Sequence, residues 1–284
     1  MIEKKRIAFL VGMPRAATTF LYHNLNLHPG LFIPFRRKTN YFSLHHGRGE
    51  DWFLSHFKDA PADGIAVDTE TLAFFNPKMK SPQLIQVFNP DARIILCVRD
   101  PAAWAVSLYH QIATFDSKIT SFEEFLEGNY TLQEDGVEVR FHMRDGDIQA
   151  RIKEYEQTFS NSILLLRFRD LTAFPVDSLR QIEQFLGVAP FYSPENVITK
   201  VINSRSRRHN KLLNKLLRNE YFIAMLRFLL PRRAVLAARW GFDGLLAGPS
   251  AKTNDHGSDE AEERMLRLAR NHFKSDRESL AEYI

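Results

Sequence analysis

The sequence predicts an α/β fold, a parallel sheet flanked by helices, and three observations carry that expectation. From about residue 6 to 190, short and nearly unbroken apolar runs alternate with helix-period stretches, the pattern of strands buried on both faces and joined by helical crossovers. The first run, Ile7 to Val11, feeds a glycine-led turn and then a helical segment. The third observation is size: 284 residues with 44% hydrophobic content are enough to bury the core of one large domain.

Each element has its own reason. Strands are expected at about 6–11, 31–33, 64–68, 93–98 and 162–167, where Ile, Val, Leu and Phe cluster. Helices are expected at 18–27, 102–114, 147–159 and 176–186. Asp100 is a good N-cap and Pro101 a good first residue for the second of these. Thr120-Ser121-Phe122-Glu123-Glu124 carries a capping-box signature before a short helix. Asp170 to Val176 is expected to be a loop. Lys211 to Leu230 pairs leucines and aromatics with Lys and Arg and ends at Pro231, which describes a basic amphipathic helix. Gly248 to Asp259 is expected to be an exposed loop. Glu260 to His272 and Ser275 to Ile284 should form terminal helices, the latter opened by a Ser275/Glu278 capping box.

Two segments carry chemistry. A strand that enters a tight turn and then a helix aims backbone N–H groups and a positive dipole end at one point, an anion site. In Gly12-Met13-Pro14-Arg15-Ala16-Ala17-Thr18-Thr19 the Walker template G-x-x-x-x-G-K-[ST] survives at Gly12 and Thr19 only. Ala17 replaces the second Gly, Thr18 replaces the Lys, and the cation is Arg15. Downstream, Arg99 follows the strand 93–98 at a carboxyl edge, where ligands gather in open α/β sheets. Its guanidinium fork suits a phosphate, and Ser107 on the following helix adds a hydroxyl.

The segment P-[KR]-x-x-T-T resembles the 5′-phosphosulfate loop of sulfotransferases that use 3′-phosphoadenosine 5′-phosphosulfate (PAPS). Arg99-Asp100-Pro101 with Ser107 resembles the segment that holds the 3′-phosphate in that family. Leu27-His28-Pro29, Lys38-Thr39-Asn40-Tyr41-Phe42 and Phe185-Leu186-Gly187-Val188 resemble further segments of it, so the likeness runs from about 6 to 190. One position departs: where many members carry a Glu thought to be the general base, this chain has Thr39. The resemblance implies the P-loop kinase-like sulfotransferase fold in a single domain over 1–284. Its core would be at about 6–190, with a helical acceptor-side or lid region at about 200–284.

The activity implied is transfer of a sulfuryl group from PAPS to a hydroxyl, or an amine, of a glycan, lipid or small metabolite, leaving 3′,5′-adenosine bisphosphate (PAP). Pro14, Arg15, Ala16, Ala17, Thr18, Thr19, Arg99 and Ser107 would bind the nucleotide. Arg15 would also answer the charge developing on the leaving phosphate, and Lys38 would contact the sulfuryl oxygens. A sulfuryl group carries one negative charge fewer than a phosphoryl group, so cationic side chains can replace a metal clamp, and no metal is expected. With Thr39 unable to act as base, Asp68 is the first candidate, resembling the acid of the family's G-E-K-[ST]-P segment; His45 is second and Glu70 third. Tyr41, Phe42, Trp52, Phe74 and Phe75 are candidates for the wall of an acceptor pocket.

Two other functional readings stay open: a degenerate PAP-binding interaction module, and a kinase of the related fold, disfavoured by Thr18 in place of Lys. The balance of 38 basic against 34 acidic residues, net +4, suits an anionic substrate without the concentrated stripe expected for nucleic acid. No signal peptide or membrane span is expected. The segment 211–230 reads as part of a lid or as a peripheral membrane contact. The single Cys97 precludes an intrachain disulfide and favours a reducing, cytoplasmic setting.

Overall fold

A computed structural model describes residues 3–34, 38–74, 80–113, 121–134, 137–199 and 256–284. Apart from residues 198 and 199 they belong to one unit, Met1–Val197 with His256–Ile284. The elements in chain order are β1 (Ile7–Gly12), α1 (Thr18–Leu25), β2 (Leu31–Phe32), a π-helical turn (Tyr41–His45), α2 (Glu50–Ser55), β3 (Ile65–Glu70), α3 (Ser81–Phe88), β4 (Ile94–Val98), α4 (Pro101–Ala113), α5 (Phe122–Glu127), β5 (Asn129–Glu134), β6 (Val137–His142), α6 (Asp147–Thr158), β7 (Ile163–Arg167), α7 (Phe168–Ala173), α8 (Pro175–Leu186), α9 (His256–His272) and α10 (Lys274–Ser279). The basic segment 211–230 and residues 248–255 of the expected loop lie outside the described residues, and the four residues from His256 to Asp259, expected as loop, instead open α9.

The expected parallel sheet is present in the order β2-β3-β1-β4-β7, every pair parallel. β1 is central, and the chain leaves it toward β2 on one side and returns through β3 before crossing to β4 on the other. The carboxyl edge near β1 is thus a topological switch point, the place where such sheets bind ligands. Every residue of β1 and β4 is buried, which explains their uninterrupted apolar runs. The register Gly12↔Cys97, Val11↔Glu70 and Val98↔Arg167 brings the ends of four strands to one edge.

Several expectations need correction. β3 does not stop at Asp68, because its ladder with β1 continues through Leu10↔Thr69 and Val11↔Glu70. The segment Asp170 to Val176 is not all loop. α7 runs to Ala173, Arg167 reaches forward to the Asp170 carboxylate, and no breaker occurs until Pro175 opens α8. The Ser275/Glu278 capping box is not formed; the Asp145 carboxylate instead accepts the N–H groups of Ser275 and Asp276, both at 2.8 Å. The Ser121 cap does form, its hydroxyl accepting the Glu124 N–H at 3.1 Å.

Two sequence signatures have structural explanations. His28 Nδ1 accepts the Gly30 N–H at 3.0 Å and its Nε2 faces the Ala189 carbonyl at 3.0 Å. Nδ1 must therefore be the bare nitrogen and Nε2 the protonated one, and the ring ties the end of α1 to the chain after α8. Gly187, at φ +67°, ends α8 in the left-handed conformation that glycine adopts without Cβ strain.

Candidate active site

The loop after β1 is shaped by close backbone approach. Gly12 has φ +130°, and a Cβ there would stand 2.7 Å from both the nitrogen and the oxygen of Cys97 on β4. The Met13 N–H then bonds the Cys97 carbonyl at 3.2 Å. Arg15 and Ala17 are both left-handed, at φ +70° and +63°, an unusual pair for side chains with a Cβ. The twist turns the chain into α1, whose N-cap residue Ala17 supplies no side-chain cap, and the positive end of the helix dipole faces this loop. The Ala16 N–H is committed within the loop, to the Met13 carbonyl at 3.1 Å.

The two motifs meet in space. Arg15 Nε donates to Ser107 Oγ at 3.1 Å, and Arg99 Nη1 donates to the Arg15 carbonyl at 2.8 Å. The Arg99 guanidinium lies 4.3 Å from the ring centre of Phe168, the first residue after β7, a cation–π contact that orients the fork. Sequence reading missed Phe168; its signal was its position immediately past a strand that ends on the same edge. Asp100, the neighbouring acid, is engaged elsewhere: Oδ1 accepts the Ala103 N–H at 2.8 Å, capping α4, and Oδ2 accepts from Arg277 Nε at 2.9 Å. Two guanidinium groups and a serine therefore meet where the loop enters α1, and the carboxylate next in sequence to Arg99 is already paired. That donor set fits an anion with two phosphate groups.

Beside this point, β3 presents buried acids. Asp68 and Glu70, two apart on one strand, share a face and are both fully buried. Thr39 donates its hydroxyl to Asp68 Oδ2 at 2.6 Å. Glu70 accepts the Phe42 N–H at 3.0 Å, and the Ser43 hydroxyl lies 2.9 Å from its other oxygen. Burial, and then the charge of Asp68, push the Glu70 carboxyl up to about 8 against these hydrogen bonds, so it holds its proton at neutral pH. These contacts dock residues 39–43 on β3. The π-helical turn follows, with Asn40 left-handed at φ +50° and its carbonyl accepting from both Leu44 and His45.

The remaining candidates are spread out. Lys38 is half-buried on the same segment. His45 is buried with its ring 5.5 Å from that of Trp52. Tyr41 and Phe42 do not form an exposed wall; Phe42 packs among Phe9, Phe53 and Phe88 at 5.2–5.4 Å, in the core. Phe74 is stacked on Tyr155 at 6.5 Å, and Phe75 lies outside the described residues. Burial pushes the Cys97 thiol up to about 12, which leaves it no nucleophilic role at neutral pH. Among the described residues no helix is long and apolar enough to cross a membrane.

Comparison with known proteins decides the family. The family model for the sulfotransferase domain matches residues 5–222, more than half of the chain. The chain belongs to the sulfotransferase domain family. A relative among curated proteins, the membrane-associated sulfotransferase kil1 of Dictyostelium discoideum, is 26% identical over 103 residues, covering 36% of this chain and 22% of that protein. Human heparan sulfate glucosamine 3-O-sulfotransferase 6 is 28% identical over 115 residues, 40% of this chain and 33% of the relative. The chain thus spans about a fifth to a third of the length of these two sulfotransferases. A crystal structure of a sulfotransferase from Alicyclobacillus acidocaldarius has the same fold, with a TM-score of 0.53 and 21% identity over 82% of this chain and 94% of that one.

Proposed function

We propose that the protein transfers a sulfuryl group from PAPS to a hydroxyl group, releasing PAP. The observation that carries this reading is the convergence of Arg15, Arg99 and Ser107 at the switch point of the sheet. Bound PAPS would supply the activated sulfuryl group. Thr18, Thr19, the N–H groups opening α1 and the Arg15 side chain would hold the 5′ end, while Arg99 and Ser107 would take the 3′-phosphate. Arg15 would also stabilise negative charge as it grows on the leaving phosphate, a contact worth most in the transition state. Lys38 would stand against the sulfuryl oxygens.

Asp68 is the base of this proposal. It sits on the strand next to β1, and the Thr39 hydroxyl fixes its Oδ2. The acceptor would be a hydroxyl of a glycan, lipid or small metabolite. The glycan comes first, because one relative is named for a heparan sulfate glucosamine. The buried state of the lone thiol supports a reducing, cytoplasmic setting.

Calorimetry without added metal tests the donor site. PAP should bind well, adenosine 5′-phosphate and ATP should bind much more weakly, and Arg99→Ala should weaken PAP by about 1.5–3 kcal/mol, the scale of a charged hydrogen bond. Turnover of labelled PAPS on a panel of glycan, lipid and phenolic acceptors tests the activity. PAP binding with no turnover on any of them would favour a binding module instead.

A further inference from the structure

Asp68 and Glu70 make parallel ties to one segment of chain. The Thr39 hydroxyl donates to Asp68 Oδ2 at 2.6 Å, and Glu70 Oε1 accepts the Phe42 N–H at 3.0 Å. Lys38 precedes Thr39 in that segment. The Ser43 hydroxyl completes the second tie, 2.9 Å from Glu70 Oε2 and 3.4 Å from the Asn40 carbonyl. It has one hydrogen for two acceptors. A proton on Glu70 Oε2 resolves the conflict, since Glu70 then donates to Ser43 and Ser43 to Asn40, while Oε1 still accepts from Phe42. The setting favours that proton: Glu70 is fully buried, two residues from the buried Asp68 on one face of β3, where a second negative charge would be repelled and poorly solvated. The π-helical turn packed on β3 carries Tyr41 and His45. On α6, the buried Tyr155 hydroxyl is pushed up by burial and then by the charge of Glu70, and Arg151 is paired with Glu154. Neither β1 nor α3 carries a titratable side chain.

We propose that Glu70 is a positioning residue: it clasps residues 38–43 to β3 so that Lys38 and the Thr39–Asp68 hydrogen bond keep their places, and the clasp opens when Glu70 loses its proton. The proposal rests on the reading of Lys38 and Asp68 as parts of the reaction machinery. Glu70 itself takes no proton from the acceptor and is not the base. Its carboxyl is raised to about 8, so the segment stays docked below that pH and turnover declines above it.

Two measurements on the full chain test it: kcat with PAPS and an acceptor from about pH 6.5 to 9.5, and amide exchange of residues 40–45 over the same range, corrected for its intrinsic pH dependence. Glu70→Gln reproduces the pattern of the protonated acid, an acceptor for the Phe42 N–H and a donor for Ser43. It should keep turnover near neutral pH and lack the alkaline fall of the wild type, which should approach about tenfold per pH unit. Glu70→Leu should lower kcat by about tenfold or more across the range, with PAP affinity unchanged. Exchange of 40–45 should quicken at alkaline pH in the wild type and not in Glu70→Gln. Superimposable pH–rate profiles of wild type and Glu70→Gln, or loss of turnover in Glu70→Gln near neutral pH, overturn the positioning role; superimposable exchange overturns the clasp. Wild-type protein that turns over no acceptor would instead remove the reading of Lys38 and Asp68, and exchange alone would then decide whether Glu70 is a clasp.

Discussion

At the scale of single residues, the position that departs from the family pattern has a structural partner. Thr39 stands where many sulfotransferases carry Glu, and its hydroxyl bonds a buried carboxylate, Asp68. If Asp68 receives the acceptor's proton, Asp68→Asn should lower turnover by about 10²–10⁴-fold with PAP affinity unchanged, the scale of a lost general base. Thr39→Ser, which keeps the hydroxyl, should retain turnover, whereas Thr39→Ala should lose a large part of it. Steady-state rates beside calorimetric PAP affinity check this, and near-normal turnover in Asp68→Asn would sink the assignment. The cation Arg15 and the fork Arg99 were legible in the sequence because loop chemistry is local: a strand, a turn and a helix start fix where such side chains go. The Thr39–Asp68 bond, the Phe168 face over Arg99 and the pairing of Asp100 with Arg277 were not legible, because each joins residues far apart in the chain through tertiary packing.

At the scale of elements, the N-termini of α6 and α10 cap each other. Asp276 of α10 accepts the N–H groups of Gly146 and Gln149, and Asp145, just before α6, accepts those of Ser275 and Asp276. Each carboxylate satisfies two N–H groups of the partner element and meets its dipole. Asp276→Ala and Asp145→Ala should each destabilise the protein by about 1–2 kcal/mol, and the double variant by less than the sum, because the two caps share one junction. Urea unfolding of the three variants measures this; strict additivity would mean the caps act independently. Sequence alone offered only the local alternative, Ser275 with Glu278, since spacing cannot reveal a cap from another element. The parallel strands were readable from their buried apolar runs. The antiparallel β5–β6 pair was passed over although Val137-Glu138-Val139-Arg140-Phe141-His142 alternates apolar and polar residues and Asp135-Gly136 before it is a hairpin signature.

At the scale of the whole molecule, the buried acids of β3 tie stability to pH. Glu70 is fully buried, with its carboxyl raised from 4.5 to about 8 by burial first and by the Asp68 charge second. In the folded state it therefore keeps a proton that it loses near pH 4.5 when unfolded. The sign follows: its contribution to stability is complete below about pH 4.5, declines as pH rises toward 8, and is gone above that. One group in this window gives a slope on the order of 1 kcal/mol per pH unit. Glu70→Gln cannot ionise and keeps an oxygen to accept the Phe42 N–H, so it should lack this component. Urea unfolding free energies of the two proteins, measured from pH 5 to 9, should diverge steadily, with the variant gaining relative to wild type as pH rises and the difference levelling off above about pH 8. Titrating groups that do not interact with Glu70, such as Asp276 with its burial-raised carboxyl, act on both proteins alike and cancel in the difference. Parallel curves across that range would show that Glu70 ionises in the folded protein much as it does in the unfolded chain, and that the docking of residues 39–43 on β3 tolerates two adjacent negative charges.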